Sequence, residues 1–132
     1  MKRLITTSLL LLTHAVHANP VALTGQFEGV IWSAGVLVPS TTSFVQIDPR
    51  QAYGHYQMRL HEGEVISGQL HECQPIRSLL WRCIWSDQYG VGTLELELST
   101  DGTRFVGEWR SSGHPHSKVG MDWTGKRVPT TP

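Results

Sequence analysis

The sequence predicts an all-β protein, an antiparallel meander of about eight strands that forms a small closed or nearly closed β-barrel with one disulfide. Three observations predict this fold. Apolar and polar residues alternate along much of the chain, a glycine-centred motif recurs at a fixed spacing, and no segment carries the apolar stripe of an amphipathic helix. A two-sheet β-sandwich is the alternative architecture.

Residues 1–18 have the pattern of a secretory signal peptide. Met1-Lys2-Arg3 is a positively charged start, an apolar run spans Leu4 to Leu12, and Val16-His17-Ala18 places small residues three and one before a cleavage point. The run is shorter than the roughly 18 apolar residues that a membrane anchor needs. We therefore expect residues 19–132 to form a single domain that is exported, either to a bacterial periplasm or out of the cell, with no transmembrane segment in the mature chain.

Composition narrows the function classes. The whole chain has 132 residues, 39% of them apolar and 17% charged, which is typical of one folded domain. It carries eleven basic and eleven acidic residues, and removal of Lys2 and Arg3 with the signal peptide leaves it slightly acidic. A nucleic-acid-binding protein needs a basic surface, so nucleic acid is not an expected partner.

Cys73 and Cys83 are the only cysteines in the chain, and an exported protein in an oxidising compartment is expected to pair them. Their ten-residue separation differs from the close spacing of paired zinc ligands and from the Cys-x-x-Cys redox motif. The bond would close a loop of about eleven residues and stabilise the fold by roughly 3 kcal/mol through restriction of the unfolded chain.

Strands are predicted from alternation and from the turns between them. Leu94, Leu96 and Leu98 alternate with Glu95 and Glu97, so we expect the leucines inside and the glutamates in solvent. An Asp-Gly turn follows and closes a hairpin. The same pattern along the chain predicts strands at residues 25–32, 43–48, 54–61, 64–70, 79–86, 92–99, 103–110 and 119–128.

A motif of the form apolar-x-Gly-x-apolar occurs at Phe27–Ile31, Ile66–Leu70 and Phe105–Trp109, each copy 39 residues after the last, with a truncated copy at 123–127. A glycine at a fixed point of a strand marks a bend, a bulge or the close approach of a neighbouring aromatic ring. A propeller needs at least about four blades and the chain is too short for them. The repeat therefore favours a barrel.

In outline this strand rhythm is similar to that of avidin-like and lipocalin-like barrels, and the Gly-x-Trp and Trp-x-Gly spacings at residues 107–109 and 123–125 resemble those of short bacterial exported β proteins. The resemblance covers only the rhythm and those short spacings. Neither family's ligand motif is present in the sequence. The resemblance therefore implies an architecture and assigns no binding residue.

Aromatic residues are the leading candidates for a binding site. Trp81 and Trp85 share one strand face with Cys83, so a disulfide would hold both indoles in one apolar patch. The sequence leaves open whether this patch lines the barrel interior or faces solvent. Tyr53 and Tyr89 lie near turns and are further candidates. Other large apolar side chains, among them Trp109 and Trp123, follow the inward phase and are expected in the core.

The sequence contains no catalytic motif and indicates no cofactor: the nucleophile elbow Gly-x-Ser-x-Gly and glycine-rich phosphate loops are both missing. His114 and His116 flank a proline in a polar loop and are weak candidates for a metal site, because no third ligand can be identified. The sequence therefore favours a binding role over a catalytic one.

Three functions stay open at this point. The first is an exported, non-catalytic binding module or inhibitor that captures a protein partner through loops or an aromatic patch; it predicts a filled barrel and an exposed patch containing Trp81 or Trp85. The second is a carrier of a small apolar ligand, since an eight-stranded barrel is either just filled or holds one small molecule. The third is an envelope hydrolase or metal-dependent enzyme. The identity of the partner and the oligomeric state have no signature in the sequence.

Overall fold

The computed structural model describes residues 21–113 and 119–130. In this part of the chain eight strands form a closed antiparallel barrel, in which consecutive strands are neighbours and the last strand pairs with the first. The strands are β1 (Gly25–Ser33), β2 (Val36–Asp48), β3 (Gln51–Arg59), β4 (Val65–Arg77), β5 (Leu80–Asp87), β6 (Gly90–Leu98), β7 (Arg104–Ser111) and β8 (Met121–Arg127), with a short 3-10 helix at His61–Gly63. The predicted all-β barrel is confirmed.

Residues 1–18, the predicted signal peptide, lie outside the described residues, so this part of the sequence interpretation stays a prediction. Within the described ranges there is no helix of sufficient length and apolarity to cross a membrane.

Two strands are longer than the sequence pattern predicted. β2 begins at Val36 rather than at residue 43, and its inward positions include Ser40 and Thr42, both buried. Polar residues at inward positions hide the alternation that identifies a strand. β4 continues to Arg77, seven residues beyond the predicted end.

A β-bulge explains the extension of β4 and positions the disulfide. His71 and Glu72 are consecutive exposed residues, the pairing with β5 shifts register beside them, and Glu72 has a left-handed φ of 52°. Strict alternation from Leu70 would turn Cys73 outward; the extra residue turns it inward instead. Cys73 is thereby buried beside Cys83, and the predicted Cys73–Cys83 disulfide is confirmed.

One end of the barrel, here called the closed end, is covered by residues 21–24 and is densely packed. Phe27, Phe44 and Phe105 meet edge to face with ring centroids 5.1–6.1 Å apart. Leu23 is completely buried. The Arg127 guanidinium donates hydrogen bonds to the carbonyl oxygens of Ala22, Thr24 and Gly102, and its carbon lies 4.6 Å from the Phe27 ring centroid. This arginine fastens the N-terminal segment over the barrel.

Glycines inside the barrel lie directly across from aromatic residues. Gly68 pairs with Tyr56 and Gly92 pairs with Trp85. A Cβ atom at Gly92 would lie 2.7 Å from the Trp85 ring, and one at Gly68 would overlap the Tyr56 ring. Of the motif glycines, Gly68 and Gly125 lie against aromatic rings, whereas Gly29 and Gly107 lie against the backbone of neighbouring strands, so the aromatic approach that the motif suggested holds at two of its four copies.

Candidate ligand-binding site

A cavity of about 290 Å³ lies at the other end of the barrel, here called the open end, where the β1–β2, β3–β4 and β5–β6 connections meet. Its volume is at the lower limit of typical small-molecule sites, about 300 Å³. The wall is mostly apolar, with Met58 and Leu60 beside a set of aromatic residues and one carboxylate: Tyr56, Trp85, Asp87, Tyr89, Trp109 and Trp123. The aromatic residues come from β3, β5, β7, β8 and the β5–β6 turn, so the sheet itself positions them.

The aromatic rings of the wall are held in two edge-to-face pairs. The ring centroids of Trp85 and Trp109 are 5.4 Å apart with planes at 84°, and those of Tyr56 and Trp123 are 4.7 Å apart with planes at 71°. Edge-to-face packing is a favoured arrangement of aromatic quadrupoles. The wall is therefore formed before any ligand arrives.

The polar edges of the three indoles are directed into the barrel wall. Trp85 Nε1 donates to the Arg110 carbonyl oxygen at 3.2 Å and Trp109 Nε1 to the Trp32 carbonyl oxygen at 3.0 Å. Trp123 Nε1 donates to Thr42 Oγ1 at 3.0 Å. Because each indole N–H is satisfied within the protein, the rings offer hydrocarbon surface to the cavity.

Asp87 supplies the one carboxylate that the described residues contribute to the cavity wall. Its Oδ2 accepts a hydrogen bond from the Tyr56 hydroxyl at 2.7 Å, and its Oδ1 accepts one from the Tyr89 backbone N–H at 2.8 Å. Burial, reinforced by the hydrogen bond to Asp87 and its negative charge, raises the pKa of Tyr56 far above its ordinary value. The phenol therefore remains a protonated donor.

No cationic side chain among the described residues pairs with Asp87. The ion pairs in this part of the chain join Arg82 to Glu95 and Arg110 to Glu108, on the outer surface of the barrel. The Asp87 carboxylate thus faces the cavity with two hydrogen-bond donors but without a counter-charge from the described part of the chain.

The structure brings two of the candidate binding residues to the cavity. Trp85 and Tyr89 line it, whereas Trp81 is buried farther toward the closed end and Tyr53 lies on the outer face of β3, exposed. Trp81 and Trp85 are 4% and 6% exposed, so both face the interior and neither belongs to an exposed patch. The prediction of an exposed patch containing Trp81 or Trp85, one of the two surfaces expected to capture a protein partner, is therefore wrong, whereas capture through loops stays a prediction.

The other residues singled out in the sequence are a histidine pair and two further tryptophans. His114 and His116 lie outside the described residues, and within 21–113 and 119–130 no three His, Cys, Asp or Glu side chains are grouped to hold a metal ion. Trp123 is buried as expected, but Trp109 is only partly buried and forms cavity wall instead of core.

Sequence reasoning missed Tyr56 and Asp87 as site residues, although a signal for each exists. Tyr56 occupies an inward position of β3, and a buried phenol hydroxyl needs a partner. Asp87 lies two residues after Trp85 and so shares its inward face at the end of β5. That these two residues contact each other depends on barrel closure, because they are 31 positions apart.

Comparisons with models of protein families, with curated proteins and with solved structures give no match to this chain. Small barrels also support many unrelated functions, so architecture alone assigns none. The cavity side chains and their hydrogen bonds are what bear on the function of this protein.

Proposed function

We propose that this protein is an exported, non-catalytic carrier that binds one small, largely apolar molecule in the open-end cavity. The observation that carries the proposal is the aromatic wall itself: three tryptophans and Tyr56 line about 290 Å³ of space, the three indole N–H groups bond to the barrel, and the Tyr56 hydroxyl bonds to Asp87. Apolar cavities with a few convergent polar groups are the usual form of a small-molecule site.

The two ends of the interior support a carrier over a structural barrel. Phenylalanines and leucines fill the closed end, as the strand number allows. At the open end the tryptophans are instead held back at the wall by hydrogen bonds to Arg110, Trp32 and Thr42. A side chain fixed in this way cannot collapse into the cavity, and a preformed site binds without the entropic cost of ordering its wall.

The test is a titration of the protein with N-phenyl-1-naphthylamine, an uncharged aromatic probe, followed by its fluorescence and by tryptophan quenching. Ser33 lines the cavity, and Ser33→Trp would place an indole in the cavity space. Leu37 is exposed and lies on the outward face of β2, so Leu37→Trp adds the same side chain away from the cavity and is the matched control. We expect Ser33→Trp to weaken binding by at least about tenfold, equivalent to about 1.4 kcal/mol, and Leu37→Trp to bind as the parent does.

Two results would contradict the proposal. One is the absence of probe binding to the parent protein. The other is equal binding to the parent and to Ser33→Trp, since this would place the probe elsewhere on the surface.

A further inference from the structure

We infer that the open-end cavity selects an organic cation, a ligand in which a quaternary or protonated amine is attached to an apolar group. The inference rests on the proposed function, because it specifies the ligand class of the same cavity. It depends on two independent features of the wall: the Asp87 carboxylate, which forms no ion pair within residues 21–113 and 119–130, and the aromatic rings around it.

The first feature is the charge of Asp87. Each carboxylate oxygen can accept two hydrogen bonds, and each has one donor here, Tyr56 for Oδ2 and the Tyr89 N–H for Oδ1. Accepting capacity therefore remains at the cavity. A partly buried charge without a counter-ion is costly, and a cationic ligand would supply the charge that the described part of the chain does not.

The second feature is the aromatic wall. A cation within about 6 Å of a ring centroid is attracted by the negative ring face, most strongly for tryptophan. Three tryptophans and Tyr56 line the cavity. Because the rings of each pair are nearly perpendicular, at 84° and 71°, a ligand lying between the pairs meets ring faces as well as ring edges. Rings combined with a carboxylate form a site for alkylammonium groups rather than for anions.

A purely structural role would explain only part of the Asp87 environment. The contact of Oδ1 with the Tyr89 N–H, two residues later, caps the β5–β6 turn in the manner of an Asx turn. The contact of Oδ2 with Tyr56 is different, since it crosses the barrel interior from β5 to β3 and places the charge against the cavity. Asp87→Asn preserves the side-chain shape and the turn acceptor but removes the charge, so it separates the two roles.

The experiment compares two ligands of nearly identical shape, benzyltrimethylammonium and its uncharged carbon analogue neopentylbenzene, by tryptophan quenching and calorimetry. We expect the parent protein to bind the cation about tenfold more tightly than the neutral analogue. Asp87→Asn should lose this preference while its affinity for the neutral analogue stays unchanged. Asp122→Asn removes an equal charge from an exposed position on β8 and should leave both affinities as in the parent.

The outcomes distinguish this inference from the proposal beneath it. If both ligands bind the parent with equal affinity, cation selectivity is refuted and the apolar carrier stands. If the preference survives in Asp87→Asn, the carboxylate is not the selecting group and the inference is wrong as stated. If N-phenyl-1-naphthylamine fails to bind the parent protein, the proposed function itself fails. Near-ultraviolet circular dichroism and probe binding verify that Asp87→Asn is folded.

Discussion

The two ends of this barrel are both built from aromatic side chains, yet one is filled and the other is hollow. At the closed end the three phenylalanines have no polar atoms and pack against one another, with Leu23 above them. At the open end the tryptophans have N–H groups that bond to the wall. The difference lies in the indole N–H groups: each bonds to the wall and keeps its ring beside the cavity, whereas the phenylalanine rings have no such bond and pack together.

The comparison also separates stability from binding. Most of the folding free energy that side-chain packing provides should come from the closed end, where removing atoms leaves a void among well-packed neighbours. The open end already contains a cavity, so removing side-chain atoms there should lower the free energy of unfolding by less. Variants at the two ends therefore test the comparison directly.

The largest expected effect is at the closed end. Phe27 is completely buried and contacts both other phenylalanines, so Phe27→Ala should lower the free energy of unfolding by about 4 kcal/mol. Trp109→Ala at the open end removes a larger but only partly buried side chain, and should cost no more than about 2 kcal/mol. Urea unfolding followed by circular dichroism measures both. Equal losses would mean that the two ends are packed alike.

The second prediction concerns Arg127, whose hydrogen bonds fasten residues 21–24 over the closed end. Arg127→Met keeps an apolar stem over Phe27 but removes the donors to Ala22, Thr24 and Gly102, and should cost about 2 kcal/mol. Hydrogen exchange at the Leu23 N–H, which donates to Gln46 Oε1, should accelerate. N-phenyl-1-naphthylamine binding at the open end should not change. Slow exchange at Leu23 in the variant would show that packing and the hydrogen bond to Gln46 hold the segment without Arg127.

Sequence reasoning predicted the closed end better than the open end, and the reason is physical. The inward phase of Phe27, Phe105 and the leucines follows from alternation, which is local. The disulfide pairing followed from the presence of only two cysteines. The bulge that turns Cys73 inward could not be predicted, because it depends on a left-handed backbone conformation at Glu72, and no sequence pattern marks such a conformation at a residue other than glycine. The cavity depends on hydrogen bonds between residues 25 to 81 positions apart, and these are fixed only by barrel closure.

The third prediction tests the open end through pH. Because the pKa of Tyr56 is raised by burial and by Asp87, the folded protein keeps this proton after the unfolded chain has lost it, above about pH 10. Stability from this group is complete below that pH and falls by about 1.4 kcal/mol per pH unit above it. Tyr56→Phe should cost about 1 kcal/mol at neutral pH, since Asp87 Oδ2 loses its donor, and should show a shallower alkaline decline. Urea midpoints across the alkaline range measure the difference; parallel declines would exclude a buried, protonated phenol.

The smallest expected effect is a gain in stability at the bulge of β4. Glu72 has φ of 52°, a conformation that costs an L-residue other than glycine roughly 1–2 kcal/mol. Glycine removes that strain but increases the entropy of the unfolded chain by about 0.5–1 kcal/mol. Glu72→Gly should therefore raise the free energy of unfolding by about 0.5 kcal/mol, with no change in probe binding at the open end.

The matched control for the bulge is Gln69→Gly, an exposed position three residues earlier on the same strand, where the pairing with β3 and β5 is regular. No strain is relieved there, so glycine should lower stability by about 0.5–1 kcal/mol. Opposite signs at the two positions would show that the left-handed turn at Glu72 is maintained against its own backbone preference. A loss of stability in both variants would mean that Glu72 contributes contacts that outweigh the strain, and the bulge would then be held by that side chain rather than by the disulfide and the barrel around it.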